Sequence, residues 1–147
     1  MDRFSLRPAT EVDFPEIKSL IRMVRINPTG LNWHRFTVAV DGGECLIGRG
    51  QLKPVPGDLT ELASLAVLPA FRHQGIARAL IEHLLLAAPR PVYLTCRSGL
   101  GVLYKKFGFQ ALDIDEMPSY YRRLQRLAGL LMGFVRPEET LLVMKLG

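Results

Sequence analysis

The chain has 147 residues, 48% of them hydrophobic and 22% charged, which is the size and mixture of one globular domain around one core rather than of a multidomain enzyme. Nineteen Lys and Arg against fourteen Asp and Glu give a formal charge of +5 and a pI near 9.6. That balance favours anionic partners and leaves nucleic acid, a membrane surface and a phosphate-bearing cofactor open. Cys45 and Cys96 stand far apart without a Cys-x-x-Cys spacing, so neither a disulfide framework nor a zinc knuckle is expected, and a reducing interior is the default. Met1 to Arg7 lacks the apolar stretch of a signal peptide, and the apolar run from Leu127 to Val135 is about half of a spanning helix. A soluble, cytoplasmic protein with no membrane partner is expected.

In chain order, Phe4, Leu6 and Arg7 make a short strand ended by Pro8. A helix follows, capped by Thr10 or by Asp13, with Phe14, Ile17, Leu20, Ile21 and Val24 on its apolar face. Pro15 fits the first turn if Asp13 and Glu16 form the capping pair. Arg25 to Asn32 is an irregular connection. Two strands come next, Phe36 to Val40 and Leu46 to Leu52, with a hairpin signal at Asp41-Gly42-Gly43-Glu44 between them.

Pro54 to Asp58 breaks the chain before Glu61-Leu62-Ala63-Ser64-Leu65-Ala66-Val67, a run too continuously apolar to face water on one side and so expected at the centre of a sheet. A turn through Gly75 leads into a helix bearing Ile76, Leu80, Ile81, Leu84 and Leu85, which ends before Pro89. Val92 to Cys96 returns as a strand parallel to the central run, because a crossover helix joins the two. A short helix, Leu100 to Phe107, stops at Gly108, and Phe109 to Leu112 is extended. Residues 118–133 form a basic amphipathic helix, and Leu141 to Lys145 is the last strand. The fold class is α/β with a mixed sheet in one domain over residues 1–147.

A turn from a buried strand into a helix leaves the first backbone N–H groups of the helix unpaired, and glycine lets an anion approach them. Arg72, Gly75 and the small Ala77 suit a phosphate there; taken alone, an ordinary β–α turn explains them as well. The hexad Arg72-His73-Gln74-Gly75-Ile76-Ala77 resembles the Arg/Gln-x-x-Gly-x-Gly/Ala signature of GNAT-superfamily N-acetyltransferases. Val67-Leu68-Pro69-Ala70-Phe71 is similar to the family's approach to that signature. Leu103-Tyr104-Lys105-Lys106-Phe107-Gly108-Phe109 resembles its later Leu-Tyr-x-x-x-Gly-Phe segment, and Arg7-Pro8-Ala9-Thr10 with Asp13 resembles its opening.

The resemblance implies acetyl-CoA as donor, no metal, and a sheet whose two middle parallel strands splay to admit the pantetheine arm. The backbone amides of Gln74, Gly75, Ile76 and Ala77 then meet the pyrophosphate with Arg72 nearby. Leu65, Ala66 and Val67 pair with the pantetheine amides, and the Val67 N–H faces the acetyl carbonyl. Tyr104 takes the place of the general acid that protonates the CoA sulfur; as a plain aromatic it would pack with Phe107 and Phe109. Glu61 matches a glutamate that accepts the amine proton; as a strand-entrance carboxylate it would be solvated or ion-paired. Arg97 occupies the position of a cofactor-contacting asparagine and is expected to reach CoA or to line the acceptor site. Cys96 reads as a buried structural thiol, and His73 as a surface or phosphate-contacting residue.

The acceptor is expected to be a primary amine, of a small molecule or a protein, attacking directly in a ternary complex. Trp33 either walls that acceptor or plugs the core edge. The basic helix, with Arg122, Arg123 and Arg126 beside Leu124, Leu127, Leu130 and Leu131, covers the acceptor groove, meets a partner or simply presents a solvated face. No helix-turn-helix or aromatic RNA platform accompanies the charge, so nucleic acid is not expected, and a homodimer stays open. A CoA-binding regulatory module with little or no catalysis is the alternative of a different class.

Overall fold

The computed structural model describes residues 3–24, 32–135 and 140–147, with side chains over 3–19, 32–128 and 140–147. The connection at 25–31 and the side chains of Leu20, Ile21, Val24, Leu130 and Leu131 lie outside that range. The chain forms two compact units, Met1–Lys53 with Leu62–Ala88 and Pro54–Glu61 with Pro89–Gly147. Hydrogen bonding orders seven strands β1-β2-β3-β4-β5-β7-β6. The fold is therefore mixed α/β, as the alternation of apolar runs and amphipathic segments predicts.

In the first unit β1 (Phe4–Pro8) runs antiparallel to β2 (Phe36–Asp41), and β2 antiparallel to β3 (Leu46–Val55). The hairpin between β2 and β3 is tied by Asp41, whose Oδ1 accepts from the backbone N–H of Gly43 and of Cys45, both at 2.9 Å. β3 runs on past the expected break: Pro54 is exposed and tolerated within the strand, and the turn falls after Val55 instead. Glu11–Asp13 make one 3₁₀ turn before helix α1 (Phe14–Val24). The Asp13–Glu16 capping pair does not carry this start. Asp13 Oδ2 instead accepts from the Thr10 N–H at 2.7 Å, and its carboxylate takes two bonds from Arg7, at 2.7 and 2.9 Å. Ile17 is fully buried in a cluster with Phe36, Val38, Val40, Leu46 and Ala66.

Helix α2 (Ile76–Ala87) buries Ile76, Leu80, Ile81 and Leu84. Two glycines of β3 let it lie directly on the sheet. A Cβ at Gly48 would stand 3.1 Å from Ile76 Cγ2 and 3.3 Å from the Ala66 carbonyl, and one at Gly50 3.1 Å from Leu84 Cδ1. β4 (Leu59–Val67) starts two residues earlier than the apolar run alone suggests, so Glu61 lies inside a ladder rather than at its entrance.

The second unit holds the opening of β4, which pairs parallel with β5 (Val92–Arg97) through Thr60↔Val92 and Glu61↔Tyr93. β7 (Leu141–Leu146) is antiparallel to β5, and the two-residue β6 (Gln110–Ala111) adds to β7. A 3₁₀ turn, Ser98–Leu100, precedes α3 (Gly101–Lys105), and the chain leaves that helix through Gly108 at φ +98°. Helix α4 (Ser119–Val135) docks Tyr121 and Leu124 onto Val55, Tyr93, Met117 and Val143. Among the described residues no helix is long and apolar enough to cross a membrane.

Candidate active site

In the first unit the chain leaves β4 at Val67 and is pinned at once, the Leu68 N–H donating to the Ile47 carbonyl at 2.8 Å. A single 3₁₀ turn, Pro69–Phe71, follows, then the exposed Arg72, His73 and Gln74. Gly75 caps α2 in the left-handed region at φ +84°. An L side chain is disfavoured there by backbone sterics alone, and a Cβ would point into open space. The first intrahelical bond of α2 runs from the Ala79 N–H to the Gly75 carbonyl at 3.0 Å. The N–H groups of Ile76, Ala77 and Arg78 therefore precede the helix ladder, at the positive end of a twelve-residue dipole. That is the geometry an oxyanion of a pyrophosphate needs, with the charge of Arg72 close by in sequence.

The strand feeding this turn is irregular at one point. Ser64 has φ +57°, uncommon for a residue with a side chain. Two buried side chains from β3 hold it: Arg49 Nη1 donates to the Ser64 carbonyl and Gln51 Nε2 donates to Ser64 Oγ at 2.8 Å. Beyond the irregularity Leu65 and Val67 are half-buried and Ala66 is buried.

In the second unit Glu61 is buried, and its Oε1 accepts a hydrogen bond from Tyr121 Oη at 2.8 Å. A solvated strand end does not describe it. Tyr121 is fully buried, stacks on Tyr93 with ring centroids 5.4 Å apart, and meets Tyr120 edge-on at 4.9 Å. Burial, followed by the nearby charge of Glu61, pushes the Tyr121 and Tyr120 phenols up, so both remain donors at neutral pH. Sequence reasoning missed Tyr121 because it weighed this helix by its arginines and leucines. The available signal was an adjacent pair of tyrosines at the start of an amphipathic helix, where a phenol that becomes buried must find a partner.

Tyr104, on α3, is half-buried and T-shaped to Phe109 at 6.2 Å. Burial, with a smaller contribution from Cys96, raises its phenol to about 12, so it carries its proton throughout the neutral range. Burial also pushes the Cys96 thiol up to about 11, which opposes a thiolate nucleophile and leaves Cys96 a structural residue. Arg97 is exposed at the end of β5, where the following Ser98 N–H donates to the Thr140 carbonyl at 2.8 Å. Trp33 packs against the first unit's core and stacks on His34 at 3.6 Å. Among the described residues there is no group of three or more His, Cys, Asp or Glu side chains able to hold a metal ion.

The mixed sheet and the strand, glycine turn and helix at its middle define an α/β domain of the acetyltransferase class. Residues 32–111 match the family described as acetyltransferase (GNAT) domain, and the chain belongs to that family. No curated protein matches the chain in sequence. Solved structures do match in fold. The N-acetylglutamate synthase from Neisseria gonorrhoeae, complexed with coenzyme A and N-acetyl-glutamate, superimposes with TM-score 0.74 at 24% identity over 100% of this chain. This chain spans only 36% of that protein's length. A GNAT-family acetyltransferase from Staphylococcus aureus Mu50 matches with TM-score 0.67 at 13% identity over 98% of this chain and 99% of its own. Naa50 from Arabidopsis thaliana, in complex with the bisubstrate analogue CoA-Ac-MVNAL, matches with TM-score 0.65 at 17% identity over 99% of both chains.

Proposed function

We propose that this protein is an acetyl-CoA-dependent N-acetyltransferase that transfers the acetyl group to a primary amine by direct attack in a ternary complex, within one domain spanning residues 1–147. The observation that carries this reading is the left-handed Gly75 at the start of α2, which leaves the helix's first N–H groups open to an anion in a chain of this family. The backbone amides of Gln74, Gly75, Ile76 and Ala77, with Arg72, bind the pyrophosphate. Leu65, Ala66 and Val67 pair with the pantetheine arm, and the Val67 N–H polarises the acetyl carbonyl. Arg97 contacts the cofactor or lines the acceptor site.

Acetyl transfer needs a neutral amine, since an alkylammonium, with a pKa of about 10.4, has no free lone pair. The amine nitrogen attacks the carbonyl carbon, and the carbon–sulfur bond breaks. Glu61, oriented by the Tyr121 hydroxyl, takes the amine proton directly or through water, and Tyr104 delivers a proton to the departing CoA thiolate. The products are an N-acetyl amine and CoA thiol. The structural neighbours frame two acceptor classes, an amino acid, held as N-acetyl-glutamate in the N. gonorrhoeae complex, and a peptide, held as the bisubstrate analogue CoA-Ac-MVNAL in the Naa50 complex. The setting of this reaction is the cytoplasm.

The test is thiol release from acetyl-CoA by the purified protein across amino acids, polyamines, aminoglycosides and peptides, with CoA affinity measured by calorimetry on the same sample. Amine-dependent release with CoA binding establishes the enzyme. Binding without release from any amine turns the reading to a CoA-dependent regulatory module, and no binding at all refutes both. Ala77→Glu sets a carboxylate at the pyrophosphate position and is expected to abolish CoA binding while the fold is retained; unaltered affinity would remove the turn from the cofactor site.

A further inference from the structure

Ser64 interrupts β4 with a backbone conformation that its own sequence does not call for. A serine at φ +57° is disfavoured by the approach of its Cβ to the main chain, and neither neighbour, Ala63 or Leu65, is a glycine that would ease a bulge. Such a conformation persists where surrounding contacts fix it. Two contacts do so, both from β3: Arg49 Nη1 donates to the Ser64 carbonyl, and Gln51 Nε2 donates to Ser64 Oγ at 2.8 Å. One holds the main chain and the other the side chain, and a return to extended backbone would turn the carbonyl away from the first.

The alternation of β3 places both donors. Gly48 and Gly50 face α2, where a Cβ would crowd Ile76, Leu80 and Leu84, so Arg49 and Gln51 point to the opposite face. Both are fully buried. Burying a guanidinium is costly, and Nε and Nη2 have no hydrogen-bond partner among the described residues. The Phe36 ring, with its centre 5.6 Å from the guanidinium carbon, offsets a part of that cost. An apolar side chain would serve the core better, so core packing does not account for the arginine. Its specific contact does, and that contact and the one from Gln51 both fall on Ser64.

The residues after Ser64 show what is being held. Leu65 and Val67 pack against the cluster of Ile47, Ile76 and Leu80, whereas Ala66 between them joins the cluster of Ile17 and Phe36. With a side-chain period of two, the conformation at position 64 sets the phase of this alternation and the line along which the three backbone amides are presented. We infer that Arg49 and Gln51 are positioning residues for acetyl-CoA: without touching the cofactor, they hold Ser64 in its left-handed conformation so that the backbone of Leu65, Ala66 and Val67 meets the pantetheine arm. This rests on the acetyltransferase reading and on the pantetheine contacts assigned with it.

The experiment measures by calorimetry the affinity of the full chain for CoA and for ADP 3′-phosphate, which keeps the phosphates of CoA and lacks the pantetheine arm. Arg49→Met removes the donor to the Ser64 carbonyl and keeps an apolar stem in the core. It is expected to weaken CoA binding at least tenfold and to leave the nucleotide's affinity unchanged, a split that a general loss of stability does not produce. Arg49→Lys, which retains one charged donor, should fall between. A second comparison uses CoA alone. Glycine takes φ +57° without steric cost, so in a Ser64→Gly background Arg49→Met should cost several-fold less CoA affinity than it does beside Ser64. Equal losses of CoA and nucleotide, no loss of either, or the same loss of CoA in both backgrounds overturns the inference. If Arg49→Met does not fold, Gln51→Leu, which removes the other holder, takes its place in both comparisons with the same outcomes. A wild type that binds neither ligand refutes the acetyltransferase reading and the inference with it. A wild type that binds CoA, with variants that bind it equally well, refutes the inference alone.

Discussion

Tyr121 and Glu61 are joined by a hydrogen bond of 2.8 Å between Oη and Oε1, with both residues buried and sixty positions apart in the chain. The bond fixes which way the carboxylate faces and satisfies one of its lone pairs, two requirements of a base that must meet a substrate amine in a set direction. Tyr93, which pairs with Glu61 in the parallel ladder, stacks on the Tyr121 ring and holds the donor in turn.

Removing the hydroxyl with Tyr121→Phe keeps the ring packing and deletes one hydrogen bond to a buried carboxylate, a loss of about 1.5–3 kcal/mol in folding stability. Chemical denaturation measures it. On catalysis, the expected signature is a fall in kcat larger than any rise in KM, since the carboxylate is disoriented while the acceptor's contacts remain. Equal stability and unchanged kcat would show that the pair neither supports the fold nor positions the base.

Tyr104→Phe tests the other proton. Loss of a general acid is expected to lower kcat/KM by about 10²-fold or more, with CoA affinity retained. The phenol, held at about 12 by burial, should contribute no alkaline limb to the rate profile below about pH 11. The stability consequence follows from the direction of the shift. The folded value is raised above the ordinary tyrosine value of about 10, so the stabilisation is complete below pH 10 and is lost as pH rises from there through 12. The wild type should therefore lose stability across that window while Tyr104→Phe, which has no phenol to ionise, does not.

Much of this architecture is readable from local pattern. The continuous apolar run ending at Val67, the glycine at 75 and the spacing of Ile76, Leu80 and Leu84 are each set by neighbours in sequence, so strand, turn and helix follow from short-range rules. The capping of the first helix was legible only in part, because Asp13 is claimed by Arg7 from the preceding strand as well as by Thr10. The burial of Glu61 was not legible at all. Its partner comes from a helix sixty residues on, and nothing in the local sequence of either residue reports the other. Arg49 and Gln51 are a similar case. The glycines on either side of Arg49 face α2, and the arginine lies on the opposite side near the Phe36 ring.

Gly75→Val separates conformation from contact. The open space at the Cβ position removes any steric clash with neighbours, so the cost arises from forcing a β-branched residue to φ +84°. A destabilisation of about 1–3 kcal/mol is expected. CoA affinity should fall at least tenfold, because the amides of the turn lose the alignment on which the pyrophosphate depends. Thermal unfolding and calorimetry read the two effects separately, and wild-type CoA affinity in a folded variant would place the phosphates elsewhere.

The opening strand and the first helix offer a prediction independent of the reaction. Two bonds from the Arg7 guanidinium, with help from the Thr10 N–H, hold the Asp13 carboxyl at about 2, well below its ordinary 3.8. A depressed folded value means that the stabilisation is present above the unfolded value and is lost as pH falls through the folded one. Arg7 is partly exposed, which screens the pair, so the contribution at neutral pH is about 1–2 kcal/mol rather than the full linkage value. Asp13→Asn should therefore be less stable than the wild type by that amount at pH 7, and the difference should close between about pH 4 and pH 2. Urea unfolding across that range measures it. A difference that persists unchanged at pH 2 would assign the loss to the Thr10 contact and local geometry rather than to the ion pair with Arg7.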